Sequence, residues 1–208
     1  MTVRSAEDIK VFADRCVFIR SIYQHGRILF ELSTPEEKDI MSRTAEVFFG
    51  DLNTVLIEYM ILQVCKVTDP AKTRHNENHT IDFLLSHYDL ISHPKLVEIR
   101  NRLHDFRDKL VQARHKLISH SDRHAIISGL TLGAVPQEDW TEFWLDLQDF
   151  VCIIYEGVVG ERFYINGVGN LSDADSLLKA LRHSTYFDKL LNSDNRAISQ
   201  RCIEMALG

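Results

Sequence analysis

Leu96, Ile99, Leu103, Phe106, Leu110, Ala113 and Leu117 follow one another at steps of three and four residues. A strand repeats every second residue, so only a helix gathers these seven side chains on one face. A stripe this long must be buried against other helices, which restricts the chain to helical-bundle architectures.

The remaining sequence agrees with that restriction. Ile9, Phe12, Cys16, Ile19, Tyr23 and Leu29, mostly three or four apart, mark a first helix. A second helix is predicted from Pro35, with Ser33 or Thr34 as its cap and Glu36 and Glu37 in its positive first turn, to about Val67. There "TDP" stops it, because Pro70 disfavours a helical residue before it. "AKTRHNENH" is a polar loop and "HTIDFLLSHYDL" a short capped helix. Gly129, Gly133 and Pro136 break the chain before "QEDWTEFWLDLQDFVCIIYEGVV", another amphipathic helix. Its Trp140, Phe143, Trp144 and Leu147 fall at helical spacing and belong to the core or to a dimer seam. "GERFYINGVGN" reads as a turn or small hairpin, and a last helix starts at Ser172 or Asp173. With only nine Gly and four Pro in 208 residues, long regular elements are expected. The prediction is an all-α chain: a helical bundle over residues 1–157, with a C-terminal turn and helical extension over 158–208 packed on the same domain.

Cys16, Cys65, Cys152 and Cys202 are far apart and flanked by apolar residues, as buried reduced thiols are. "MTVRSAEDIK" has no apolar signal segment, and "TVLIEYMILQVCKV" is interrupted by Glu58 and short for a span. A cytoplasmic protein without a membrane segment is therefore expected.

The stretch "QARHKLISHSDRH", residues 112–124, gathers two Arg, one Lys and three His in a chain of net charge -6. From Lys95 to His124, eight basic side chains face four acidic ones, a local +4 that leaves -10 for the rest. This is either a solvated helix face, with pairs such as Asp105–Lys109, or an attractive surface for a polyanion. His120 and His124 stand one turn apart, as metal ligands can, but there is no HExxH and no carboxylate completes a set, so no metal or other cofactor is expected. His75 and His79 read as loop residues. Arg114 and His120 form Arg-x5-His. Arg20–His25 and Arg74–His79 fit the looser pattern of an Arg followed by a His at a gap of four to six residues, but only Arg114–His120 ends a regular helix amid basic neighbours. Six residues rise about 9 Å and turn well past a half circle, so the pair converges only if the helix loosens near Ser119 or two subunits meet. An imidazole can move the 2′-OH or leaving-group proton of RNA, and a guanidinium can hold the phosphate.

"RHKLISHSD" resembles the signature of HEPN domains, in which an Arg, a polar residue and a His end a bundle helix. More closely, "VCKVTDPAKTRHNENHTIDFLL", this signature and then "DSLLKAL" resemble, in that order, the AbiU-type abortive-infection branch, over roughly residues 35 to 185. The resemblance implies an up-and-down helical bundle, usually a homodimer, whose signature helices meet at a cleft. It further implies a metal-independent endoribonuclease, a toxin or effector of a phage-defence or toxin–antitoxin system, with an antitoxin or regulatory protein as partner. Arg114, His115 and His120 would form the site: Arg114 the phosphate clamp, His120 the acid/base, His115 in support. Arg107, Lys116 and Arg123 would touch the RNA backbone. His115 stands where such families often have Asn, and Asp122 where members silenced by nucleotide transfer have Tyr. Two rivals stay open: a catalytically silent HEPN module that binds a partner protein or nucleotide, and a metal-dependent helical-bundle hydrolase.

Overall fold

A computed structural model describes residues 5–114, 135–165, 172–191 and 200. The chain is an all-α helical bundle. Its described elements are α1 (Glu7–Gly26), α2 (Pro35–Thr68), α3 (Ile81–His87), α4 (Pro94–Ala113), α5 (Gln137–Val159) and α6 (Ser172–Leu191), with one two-stranded hairpin.

The helix ends follow from local chemistry. Thr34 and Glu37 close a capping box: the Glu37 amide donates to Thr34 Oγ1 at 3.2 Å, and the Thr34 amide donates to Glu37 Oε2 at 2.7 Å. Ser33 instead donates its hydroxyl to Leu29 O, closing the π-helical turn Arg27–Glu31 that follows α1. Thr80 Oγ1 caps α3 by accepting from the Phe83 amide, and His93 Nδ1 caps α4 by accepting from the Leu96 amide, with Pro94 at the first helical position. Gly160, at φ 85°, ends α5 in the left-handed conformation that glycine adopts without a Cβ clash. Two features depart from the sequence expectations. At Ala45 the backbone of α2 leaves the helical region (φ -162°, ψ 68°), with no Pro or Gly to mark it. The polar loop after Pro70 contains an antiparallel hairpin, β1 (Lys72–Thr73) with β2 (Asn76–Glu77), Lys72 opposite Glu77. The described part of "GERFYINGVGN", through Ile165, has no strand; the rest of that stretch, with Gly129 and Gly133, lies outside the described residues.

The described residues fall into two compact units. The first takes residues within Met1–Tyr23 and Leu56–Gly169. Its core joins Phe12 and Cys16 of α1, Val64 and Cys65 of α2, Leu84 of α3, Leu96, Ile99, Leu103 and Leu110 of α4, and Leu147, Phe150 and Ile154 of α5. Leu96, Ile99, Leu103, Phe106 and Leu110 of the α4 stripe are thus buried as expected, while Leu117 lies outside the described residues. Each fully buried Leu or Ile contributes about 1.5–3 kcal/mol of transfer free energy. The α5 aromatics are core residues: Trp144 is buried, Phe143 stacks on Phe106 at 4.7 Å, and Trp140 stacks on Tyr23 at 5.3 Å. Gln148 ties the chain after α5 to the helix, donating to Phe163 O and accepting from the Ile165 amide.

The second unit takes residues within Gln24–Val55 and Asn170–Gly208. Leu29, Met41, Phe49, Ala174 and Leu178 form its core. Ala174, Leu178 and the half-buried Leu181 recur at steps of four and three, so α6 turns one face inward and leaves the opposite face to solvent. Across the two units, α2 is long and apolar enough to cross a membrane by length and composition, with a window of mean hydropathy 1.3 that is 28% buried. Its C-terminal part supplies core side chains to the first unit, and Val47, Phe48 and Val55 are exposed in the second. Cys16 and Cys65 are buried free thiols and Cys152 is half-buried; Cys202 lies outside the described residues.

Candidate functional site

The end of α2 fixes the first half of the site. Thr68 is fully buried and donates its hydroxyl to Val64 O at 2.7 Å, which tightens the last turn. Pro70 prevents continuation, so Asp69 follows the helix directly. A carboxylate at the negative end of a helix dipole is unfavourable by a few tenths to about 1 kcal/mol, and it calls for cations. α4 provides two. Arg107 Nη2 lies 3.1 Å and Arg114 Nη1 2.8 Å from the same oxygen, Asp69 Oδ1. The arginines are seven residues apart, about 10.5 Å along the axis, so their side chains lean together to share one acceptor.

All three side chains are about four-fifths buried, at 18%, 20% and 22% exposure for Asp69, Arg107 and Arg114. Two guanidiniums thus share the single Asp69 carboxylate at the end of α4. Arg107 also reaches Asp108, itself solvent-exposed, at 3.3 Å. Its Nε is buried and has no hydrogen-bond partner among the described residues. Burial pushes the thiol of nearby Cys65 up, against the pull of Arg114 and Arg107. Cys65 is therefore a packed neutral thiol rather than a nucleophile.

One turn and two turns before Arg107 stand His104 and Arg100, on the same ridge of α4, and both meet Asp82 of α3. Burial alone would raise the Asp82 carboxyl. Hydrogen bonds from His104 and Arg100, and their charge, outweigh it and hold the group down at about 2. On the α5 side, Arg102 makes a bidentate contact with Asp146, Lys109 meets Asp139 at 2.6 Å and Lys95 meets Asp149 at 3.3 Å. Every basic residue of α4 through Arg114 thus has an acidic partner on another element. Lys109 uses Asp139 of α5 and not the predicted Asp105 of its own helix. The surplus of four read from the sequence is therefore not a bare surface over the described part of the helix.

Of the predicted site residues, the structure brings Arg107 and Arg114 together. His115, Lys116, His120 and Arg123 lie outside the described residues. Asp69, which holds the two arginines, is in the sequence only part of the "TDP" stop signal. Its own signal is its place at the negative end of a helix. A second titratable group gathers near the start of α1: His79 Nε2 and His87 Nε2 lie 3.7 and 3.5 Å from Asp8. Burial lowers the His79 pKa, against the pull of Asp8. Among the described residues, no three His, Cys, Asp or Glu side chains are grouped to hold a metal ion.

In a comparison with known proteins, the family model HEPN_AbiU2, described as AbiU2, matches residues 9–160. No curated protein and no solved structure matches the chain.

Proposed function

The chain belongs to the HEPN AbiU2 family, an abortive-infection-related group of HEPN domains, and from that membership we propose that it is a metal-independent endoribonuclease. In this reading it is the toxin or effector of a phage-defence or toxin–antitoxin system. It acts in the cytoplasm as a homodimer and is held in check by an antitoxin or regulatory protein.

The observation that supports this reading is the pinned arginine. Arg114 is the Arg of the Arg-x5-His pattern, and Asp69 fixes it beside Arg107. A guanidinium has five donors, so the bond to Asp69 restricts its swing while leaving others for a phosphate. A clamp held before substrate arrives costs little reorganisation during reaction. His120 would take the 2′-OH proton. The 2′-oxygen would attack phosphorus, the bond to the 5′-oxygen would break, and the products would be a 2′,3′-cyclic phosphate and a 5′-hydroxyl end. The leaving oxygen needs a proton, and His115 or the His120 of a second subunit would supply it. Arg107, Lys116 and Arg123 would line the path of the RNA backbone.

One observation favours a second reading, a catalytically silent HEPN module. The basic side chains of α4 are already matched by Asp69, Asp82, Asp139, Asp146 and Asp149. The deciding experiment incubates RNA with purified wild type and His120→Ala in EDTA. The nuclease reading expects wild-type cleavage with cyclic phosphate ends and a loss of about a hundredfold or more in the variant. No cleavage of any RNA by wild type supports the silent module. Cleavage that appears only when a divalent ion is restored supports the metal-dependent hydrolase.

A further inference from the structure

We propose that the second unit carries a docking groove for single-stranded RNA, formed where the exposed side of α6 meets the first turns of α2. This rests on the reading above only in taking RNA as the partner; its residues are different ones.

A cavity of about 330 Å³ lies there, lined by Glu36, Lys179, Arg182, His183, Tyr186 and Lys189, among others. Lys179, Arg182, His183, Tyr186 and Lys189 follow one another on α6 at helical spacing, on the side left free by Ala174 and Leu178. From Lys179 to Lys189 the axis rises about 15 Å, enough for a short run of nucleotides. The charges here are disposed differently from those of α4. Arg182 is taken by Glu37 at 3.4 Å, and Glu37 is itself buried in the cap of α2. Lys179 and Lys189 have no carboxylate partner among the described residues. Glu36 is the one other acid lining the cavity, so the groove keeps an excess of positive charge.

Between the two lysines Tyr186 is 64% exposed, an aromatic ring held in water with no packing role. A cation, a flat ring and a second cation along one groove match the repeating phosphate and base of a single strand. A folded protein partner would not need that alternation. The net charge of -6 keeps a polyanion away from most other surfaces, which adds selectivity to a local basic groove.

The test uses a fluorescein-labelled 2′-O-methyl RNA of about a dozen nucleotides, which binds but lacks the attacking hydroxyl. Anisotropy titrations compare wild type, Lys179→Ala/Lys189→Ala and Tyr186→Ala; all three positions are exposed, and circular dichroism checks the fold. The expected result is a loss of affinity of about fivefold or more for each variant. For the double lysine variant the slope of log K against log salt should flatten by about 1.4, two contacts at about 0.7 each. With cleavable RNA, these variants should raise KM and leave kcat unchanged. Wild-type binding that the variants keep in full overturns the groove and leaves the nuclease reading standing. Binding lost in the variants while wild type cuts no RNA retires the nuclease and keeps the groove. Absence of wild-type binding overturns the groove and leaves the nuclease reading to the cleavage assay. Displacement of the oligonucleotide by free AMP at equal nucleotide concentration overturns the strand in favour of a mononucleotide site.

Discussion

Replacing Asp82 by Asn should change how the protein responds to acid. Asp82 is 16% exposed and receives both Arg100 and His104, which hold its carboxyl at about 2 against an ordinary value of 3.8. The folded state thus binds its proton later than the unfolded state does as pH falls. Holding the carboxyl that far down is worth on the order of 2 kcal/mol. That stabilisation is fully present above about pH 5. It is lost as pH falls through the unfolded value near 4 toward the folded value near 2, with about half remaining at pH 3. Asp82→Asn keeps the shape and loses the charge. It should be about 2 kcal/mol less stable near pH 6, and the two stability curves should converge in acid. Urea unfolding followed by far-UV circular dichroism, at steps from about pH 6 to pH 3, measures both curves. Other carboxylates titrate in this window too, so the difference between the proteins is the quantity read. An offset that stays constant down to pH 3, or none at pH 6, would refute the reasoning.

Leu103→Ala should cost about 2–5 kcal/mol, because Leu103 is fully buried in the first unit's core and leaves a cavity; the shift in urea midpoint reports it. Thr34→Ala should cost about 1 kcal/mol, since it removes one side of the capping box at the start of α2; thermal unfolding reports this smaller loss. If the RNA cleft is shared between subunits, cleavage should fall on dilution in step with dimer dissociation, and mixing Arg114→Ala with His120→Ala chains should give an activity neither has alone or none at all. Full specific activity in a monomer verified by sedimentation would exclude a shared cleft.

Much of the bundle was legible because its causes are local. The α4 stripe, the cap at Thr34 and the stop at Pro70 each depend on residues within a few positions, and each is found in place. The break at Ala45 was not legible: its neighbours are ordinary helix formers. Nor were the ion pairs of α4. Asp69, Asp82 and Asp139 are 18 to 45 residues from the arginines and lysines they meet, and no sequence spacing encodes such a distance. Charge counted along one helix therefore overstates the charge that helix presents. In the candidate site, Arg114 is marked in the sequence by its spacing to His120, which lies outside the described residues. Asp69 became visible only when the end of α2 was seen against α4.

In the proposed nuclease, Arg114 clamps the RNA phosphate and Asp69 acts through it as a positioning residue. Single-turnover cleavage by wild type, Asp69→Asn, Arg114→Ala and the double variant tests this most directly, with each fold checked by circular dichroism. The expected loss is about 10²–10³ for Arg114→Ala and about tenfold or more for Asp69→Asn. The double variant should be no slower than Arg114→Ala alone, because Asp69 has nothing left to position. Wild-type rates in Asp69→Asn, or losses that multiply in the double variant, would contradict it.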